Sequence, residues 1–525
     1  MSTPSSTGEV TPAQQEYPEK IDAAVLLVAG VVVVGSIMSI LDMTIVNVAL
    51  RTLQADLQVG SFSTVGWTVT GYTLALATVI PLTGWAADRF GTKRLYMLAI
   101  TLFTLGSALC ASADTIGELI AFRVIQGLGG GMIMPLGMTI LTRAAGPKRM
   151  GRLMAVLGVP MLLGPILGPI IGGFILEHWS WHWIFLVNVP VGVIALTYAW
   201  FALPKDVTRK GESFDFIGML LLSPGLATLL YGVSSIAGEP VGFGKTSVWL
   251  PMLIGVVLIA SFAIYSFKPA HPLLDLRLLK NRTLAVTVIT MAFFFMAFFG
   301  TIVLLPTYFQ TVHGASTLKA GLLMAPQGLG AMITMPIAGM LIEKFPIGRI
   351  VPFGLLSVFA GMLMLTQISD TTSFVYTSGA LFLCGLGMGF TMMPMMTSAL
   401  RTLQSHEVAR GSTIININQQ IFASIGAAVM TTILANNYTP LANLAQRIGE
   451  YTVTGKDVPS DLLAQAATYG TNFATEALHD MGEAFSHTIY ISAALVAVTL
   501  VCSLLLPRKK EESHYADDGG MVVMH

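Results

Sequence analysis

Apolar runs long enough to cross a lipid bilayer recur along almost the whole chain. They lie at approximately 23-50, 62-85, 94-113, 117-142, 151-176, 182-203, 215-237, 248-267, 283-312, 320-342, 350-368, 374-400, 411-436 and 484-506. As a helix, each is long enough to span a hydrocarbon core of about 30 Å. The predicted class is therefore an all-α polytopic membrane protein with fourteen spans. A water-soluble fold is excluded, because only 11% of the residues are charged, against roughly 25% in ordinary soluble domains. Net charge is zero, so no global field points to nucleic acid, and the information lies in where the charges sit.

An even number of spans puts both termini on one side, and the Lys/Arg bias of the connecting segments says which side that is. Of the 28 basic residues, 22 fall on the face shared by the termini. Five, namely Arg51, Lys245, Lys319, Arg447 and Lys456, fall on the other, and Arg123 lies inside a span. Removing one span would invert the parity of every later loop and destroy this split. The expected placement is a cell membrane with both termini cytoplasmic. Residues 1-22 lack the basic start and short apolar core of a cleavable signal and read as a disordered tail, as do residues 507-525. Segment 437-483 reads as an external surface loop with room for a short amphipathic helix. Cys110, Cys384 and Cys502 sit in separate apolar runs without metal-ligand spacing, so neither a disulfide nor a structural metal site is expected.

An internal repeat divides the chain. Gly84-Trp-Ala-Ala-Asp88-Arg89-Phe90 returns loosely as Gly339-Met-Leu-Ile-Glu343-Lys344-Phe345, and Gly127-Leu-Gly129 leading to Pro135 returns as Gly385-Leu-Gly387 leading to Pro394. Two parallel halves are the plan of the major facilitator fold, an alternating-access carrier. The expected division is a six-helix half at 23-203, two extra spans with their linkers at 204-281, and a second six-helix half at 282-506.

Two charges lie well within apolar sequence, Asp42 and Arg123. Each costs about 2.5-3.5 kcal/mol on insertion scales, which is why such residues mark transport pathways. Counting from the span ends puts Asp42 about 12 Å and Arg123 about 9 Å below the same surface, so the two can pair directly or through water if spans one and four face one cavity. Burial raises a carboxylate's affinity for a proton and a nearby guanidinium lowers it. A motion that separates the two would load a proton and its reversal would release it.

The residues around these charges resemble the major facilitator superfamily, specifically its fourteen-helix drug:proton antiporter branch of EmrB/QacA type. Leu41-Asp42-Met43-Thr44-Ile45-Val46-Asn47 is similar to that branch's first-span signature, whose acidic residue is tied to proton coupling, and Arg123-Val-Ile-Gln126-Gly127 is similar to the fourth-span motif whose Arg serves proton transfer. Gly84, Asp88, Arg89, Gly91 and Arg94 match the loop between the second and third spans, which the resemblance makes the cytoplasmic gate. Gly164, Gly168, Pro169, Gly172 and Gly173 match the fifth-span motif of exporters and imply a bend there. Trp181-His182-Trp183 departs from the pattern by holding His182 where Arg is usual; with His178 it reads as an interfacial aromatic belt and not a metal site.

Gln126, Asn416, Gln419 and Gln420 are substrate-cavity candidates, since amides at membrane depth need partners. Phe294 and Phe298, in a run rich in Phe and Met, are candidates for a wall that accepts varied lipophilic shapes. Gly242-Phe-Gly244-Lys245-Thr246 lacks the first glycine of a phosphate-binding loop, where Glu239 stands. No nucleophile-base set or metal cluster is present, so no enzyme, metal or cofactor is expected, and the energy source left is a proton gradient. The predicted function is export of small lipophilic compounds, multidrug efflux, by proton antiport. The alternatives are export of a lipid, siderophore or cell-envelope metabolite on the same fold, and a scaffold or sensor that transports nothing. The expected partners are the substrate, protons and the bilayer. Nothing in the residues names an accessory protein.

Overall fold

A computed structural model describes residues 22-59, 62-204, 213-236, 245-269, 272-404, 407-453 and 457-509. The described residues are helical, without strands, in the order α1 (Ala23–Asp56), α2 (Phe62–Val79), α3 (Leu82–Phe90), α4 (Thr92–Ala111), α5 (Ile116–His178), α6 (His182–Leu186), α7 (Asn188–Ala202), α8 (Phe216–Ile236) and α9 (Thr246–Tyr265). The second part continues with α10 (Arg282–Thr311), α11 (Thr317–Lys344), α12 (Ile347–Leu365), α13 (Phe374–Arg401), α14 (Val408–Asn437), α15 (Pro440–Val453), α16 (Ser460–Thr468) and α17 (Phe473–Ser503). Local sequence sets several starts. Asp22 accepts from the Val25 amide, Thr115 and Glu118 form a reciprocal capping box, and Asn281 accepts from the amides of Thr283 and Leu284. These side chains satisfy first-turn N–H groups that have no intrahelical partner. Pro81 separates α2 from α3, which meet at 55° as one bent span.

Among the described residues, twelve helices, or thirteen with that bent pair, are long and apolar enough to cross a membrane. The second limb of α5, helical to His178, is the segment that the sequence reads as a further span. This helix has 63 residues and would be about 95 Å long if straight. Arg123 in its first limb touches Asp42 of α1, yet a Cβ on Gly172 in its second would lie 3.3 Å from Ile45, one turn further along the same helix. Both contacts hold only if α5 doubles back. The sequence places a loop between spans four and five, whereas helical hydrogen bonding continues through the turn.

Loop contacts define two faces. On the one that carries the start of α1, the Lys93 ammonium donates to the carbonyls of Trp200 and Leu203 at the end of α7, Arg143 pairs with Asp88, and the Gly348 amide donates to Pro507. We call this the basic face. On the opposite face His479 meets Asp370, and the Thr439 hydroxyl donates to Asp480. Segment 437-483 holds more helix than the short amphipathic one for which the sequence leaves room. It folds as α15, α16 and the first turns of α17, because Leu441, Ala442, Leu444 and Leu462 find apolar cover.

The halves touch through α3, α5, α11, α13 and α14. The hydrogen bonds between them lie toward the basic face. Thr83 and Thr413 hydroxyls are 3.2 Å apart, Ser412 donates to the Pro135 carbonyl, and the Asn416 amide approaches the Met138 sulfur at 3.3 Å. The two extra spans form a tight pair, since a Cβ on Gly232 or Gly255 would lie 2.5 Å from the facing helix. Helix α8 lies against both halves. Its Ser223 donates to the Thr78 carbonyl and Tyr231 stacks on Trp67 of α2, while Leu229, Val233 and Ile236 pack with Ala428 of α14. Helix α9 presents Leu253, Val256, Val257 and Ile264 outward, as a lipid-facing helix does.

Candidate functional site

Asp42 and Arg123 form one buried ion pair, both fully inaccessible, with Arg123 Nη1 2.6 Å from Asp42 Oδ2. Around them is a polar knot inside the first half. Asp42 Oδ1 accepts from Gln126 Nε2 at 2.8 Å and from Asn188 Nδ2 at 2.9 Å, and both amides also donate to the Ser107 hydroxyl. Arg123 Nη1 donates to Gln126 Oε1 and Nε to the Thr68 carbonyl. Its guanidinium lies 4.2 Å from the Tyr72 ring centre and 5.8 Å from that of Phe185, while Nη2 has no hydrogen-bond partner among the described residues. Five helices therefore contribute, α1, α2, α4, α5 and α7, together with α6 through Phe185. A buried pair repays its desolvation only when the remaining lone pairs and protons are satisfied. Here the two amides and a carbonyl satisfy most of them.

The sequence anticipated the pair but not its setting. Gln126, expected on a cavity wall, is fully buried and binds both charges. Ser107 and Tyr72 carry no signal of their own, because neutral polar and aromatic residues are common in spans, and Asn188 stands in the run Trp181 to Pro190 that resembles the branch's sixth-span entry without any sign of a tie to Asp42. Only the tertiary fold brings them to Asp42.

Four glycines of the fifth-span motif lie within helix α5, where three of them make close contact with α1. A Cβ on Gly164 or Gly168 would stand 2.0 Å from Ile40 or from the Thr44 hydroxyl, and Thr44 also donates to the Gly164 carbonyl. Small residues bring α5 against the turns of α1 that carry Asp42, as they do at other close membrane helix contacts. Gly173 faces nothing within 4 Å. The side chain of Pro169 lies outside what is described. Gly168→Ala is expected to cost about 1-3 kcal/mol through overpacking, visible as a lower thermal midpoint in detergent. Gly173→Ala, on the same helix, leaves the midpoint unchanged or raised.

At the basic face, Gly91 ends α3 with φ +94°, a conformation that suits glycine. Gly84 lies where a Cβ would meet the Thr413 hydroxyl at 3.4 Å. Asp88 accepts from Arg143 at 3.2 Å, while Arg89 and Arg94 are exposed. The remaining cavity candidates separate. Phe294 and Phe298 stack in the core at 5.8 Å and Asn416 is buried between α14 and α5, so these present little open surface. Gln419 and Gln420 are half-buried and have no hydrogen-bond partner among the described residues.

Residues 32–427 match the family described as Major Facilitator Superfamily. The chain is 44% identical over 518 residues to the multidrug resistance protein B homolog of Mycobacterium tuberculosis, covering 96% of this chain and 95% of that protein. It is 32% identical to the multidrug transporter protein MdtP of Bacillus subtilis (85% and 80% covered) and 30% identical to the multidrug export protein EmrB of Haemophilus influenzae (79% and 82%). Among solved structures, the proton:xylose symporter XylE superposes with a TM-score of 0.56 at 16% identity, over 91% of this chain and 95% of that one. At that identity the likeness speaks for the fold alone.

Proposed function

The chain belongs to the major facilitator superfamily, in its drug:proton antiporter branch, and on that footing we propose that it exports small lipophilic compounds from the cell by exchange for protons. It is a membrane transporter and not an enzyme. The observation that carries the coupling is the Asp42 carboxylate, fully buried, held by one guanidinium and two amides. The names of the relatives support the substrate class.

In this reading the basic face is cytoplasmic, by the bias of the Lys and Arg residues, and the protein sits in the cell membrane with both termini inside. Asp42 carries the proton, Arg123 sets its affinity, and Gln126 and Asn188 hold its geometry. A rocking motion that parts Asp42 from Arg123 removes the carboxylate's counter-charge, and a proton takes its place. Gly84, Asp88, Arg89, Gly91 and Arg94 serve the cytoplasmic gate, and the glycines Gly164, Gly168 and Gly172 couple motion of α5 to Asp42. Gln419 and Gln420 offer amides to the substrate. The proton gradient supplies the energy without a cofactor, at about 2.3 kcal/mol per charge per 100 mV for its electrical part.

Purified protein in proteoliposomes tests this. Adding a lipophilic cation such as ethidium is expected to stimulate proton flux in the opposite direction, about one proton per cation, since Asp42 is the one carboxylate found deep in a span among the described residues. Absence of any substrate-stimulated proton flux would overturn the reading.

A further inference from the structure

We propose that the interior of the first half holds a hydroxyl relay that carries the proton from Asp42 along α1 to the basic face, and that this relay is broken at Ser36 in the present conformation. The proposal rests on the proton-antiport reading above. Along α1, Ser39 and Ser36 lie one and two turns from Asp42 toward the basic face, and both are buried. Ser39 Oγ is 3.3 Å from the hydroxyl of Tyr72, whose ring lies under Arg123. The Tyr72 ring thus touches the Arg123 side of the ion pair, while the hydroxyls of Ser39 and Tyr72 stand beside the pair without a hydrogen bond to it in this conformation. Further down, Tyr96 reaches in from α4 and donates to the Val31 carbonyl at 3.4 Å.

These hydroxyls occupy space that the sequence leaves open for them. A Cβ on Gly130 would stand 2.4 Å from the Tyr72 oxygen, one on Gly35 would stand 2.3 Å from that of Tyr96, and one on Gly30 would stand 2.4 Å from that of Tyr198 on α7. Three tyrosine oxygens therefore sit in three glycine notches at descending levels. From Asp42 to Gly30 is about 18 Å along the helix, more than half of a hydrocarbon core of about 30 Å. Packing alone does not account for the arrangement. A hydroxyl buried in apolar surroundings costs free energy unless it is hydrogen-bonded, and helical Ser commonly bonds back to its own preceding turn. Ser36 Oγ is fully buried and has no hydrogen-bond partner among the described residues. Along α1, Ser36 follows Ser39 toward the basic face and adjoins Gly35, whose missing Cβ leaves room for the Tyr96 oxygen.

The transfer balances. Each hydroxyl oxygen accepts one proton from the side of Asp42 and gives its own to the next, so one proton leaves the Asp42 carboxylic acid and one reaches water at the basic face. The hydroxyls are unchanged, and the carboxylate left behind pairs with Arg123. The break has a purpose in a carrier whose halves are closed at the basic face. A continuous relay in that state would let protons through without substrate; completion at Ser36 belongs to the opposite state.

The test compares Ser36→Ala, Ser36→Thr and Tyr96→Phe in proteoliposomes with ethidium as probe. Under an imposed pH gradient, Ser36→Ala and Tyr96→Phe are expected to slow driven transport about tenfold or more, and Ser36→Thr, which keeps a hydroxyl, to run near the wild-type rate. Exchange of labelled for unlabelled ethidium without a gradient needs no net proton movement and stays unchanged. Wild-type driven rates in the Ala and Phe variants would overturn the relay. So would an equal loss in both assays, which would mean packing. If the wild type itself shows no gradient-driven transport, the antiport reading fails and the relay with it.

Discussion

Replacing Asp42 by Asn is expected to lower proton-driven efflux by at least about 100-fold, the loss that follows when an essential proton-transfer group is removed. The same change has a structural cost that must be separated from it. Without the Asp42 carboxylate, the Arg123 guanidinium stays buried at zero exposure and loses its counter-charge, and breaking one side of a buried pair costs about 3-5 kcal/mol. The single variant should therefore unfold in detergent at a lower temperature than the parent. The double variant Asp42→Asn, Arg123→Gln removes both charges and is expected to recover most of that stability, because neutral side chains at these positions still meet Gln126, Asn188 and the Thr68 carbonyl. It should not recover driven efflux. Recovery of both together would reduce the pair to a clasp between α1 and α5.

Joining the halves at the basic face is expected to stop transport completely and reversibly. The hydroxyls of Thr83 on α3 and Thr413 on α14 are 3.2 Å apart and nearly inaccessible, at 2% and 1% exposure. Cysteines at these two positions put their sulfurs where the hydroxyls are, within reach of a disulfide. Cys110 and Cys384 are buried and need not be replaced, whereas the less buried Cys502 is changed to Ala. Oxidation locks this face, so neither efflux nor exchange proceeds, and reductant restores both. The two single cysteine variants should respond to neither reagent. Undiminished transport by the oxidised pair would show that these surfaces do not part during the cycle.

What was legible in the sequence follows from cost. A charge in lipid is expensive enough to be rare, so Asp42 and Arg123 stand out with no structure in hand, and counting turns puts them at one depth. The apolar lengths are similarly constrained by the bilayer, which is why an all-helical polytopic fold could be read from pattern alone. Neutral polar groups carry no such signal. Asn188 and Ser107 look like many other span residues until α7 and α4 are packed against α1, and Gln126 was read as a cavity amide although it binds the ion pair. The uninterrupted turn of α5 was hidden for another reason, since polar residues between two apolar runs read as a loop whether or not their backbone stays helical. The two halves also diverge where function would have kept them alike. Leu381, near the position in α13 that answers to Arg123, is apolar and fully buried, so the repeat that revealed the fold gave no second charged site.

The central claim is that Asp42 carries the exchanged proton, and the most direct measurement is proton release on substrate binding by purified protein in weakly buffered detergent solution. Wild-type protein is expected to release about one proton per ethidium bound, whereas Asp42→Asn binds ethidium and releases none. Release of the same proton by the Asn variant would contradict the account and move the coupling to another carboxylate.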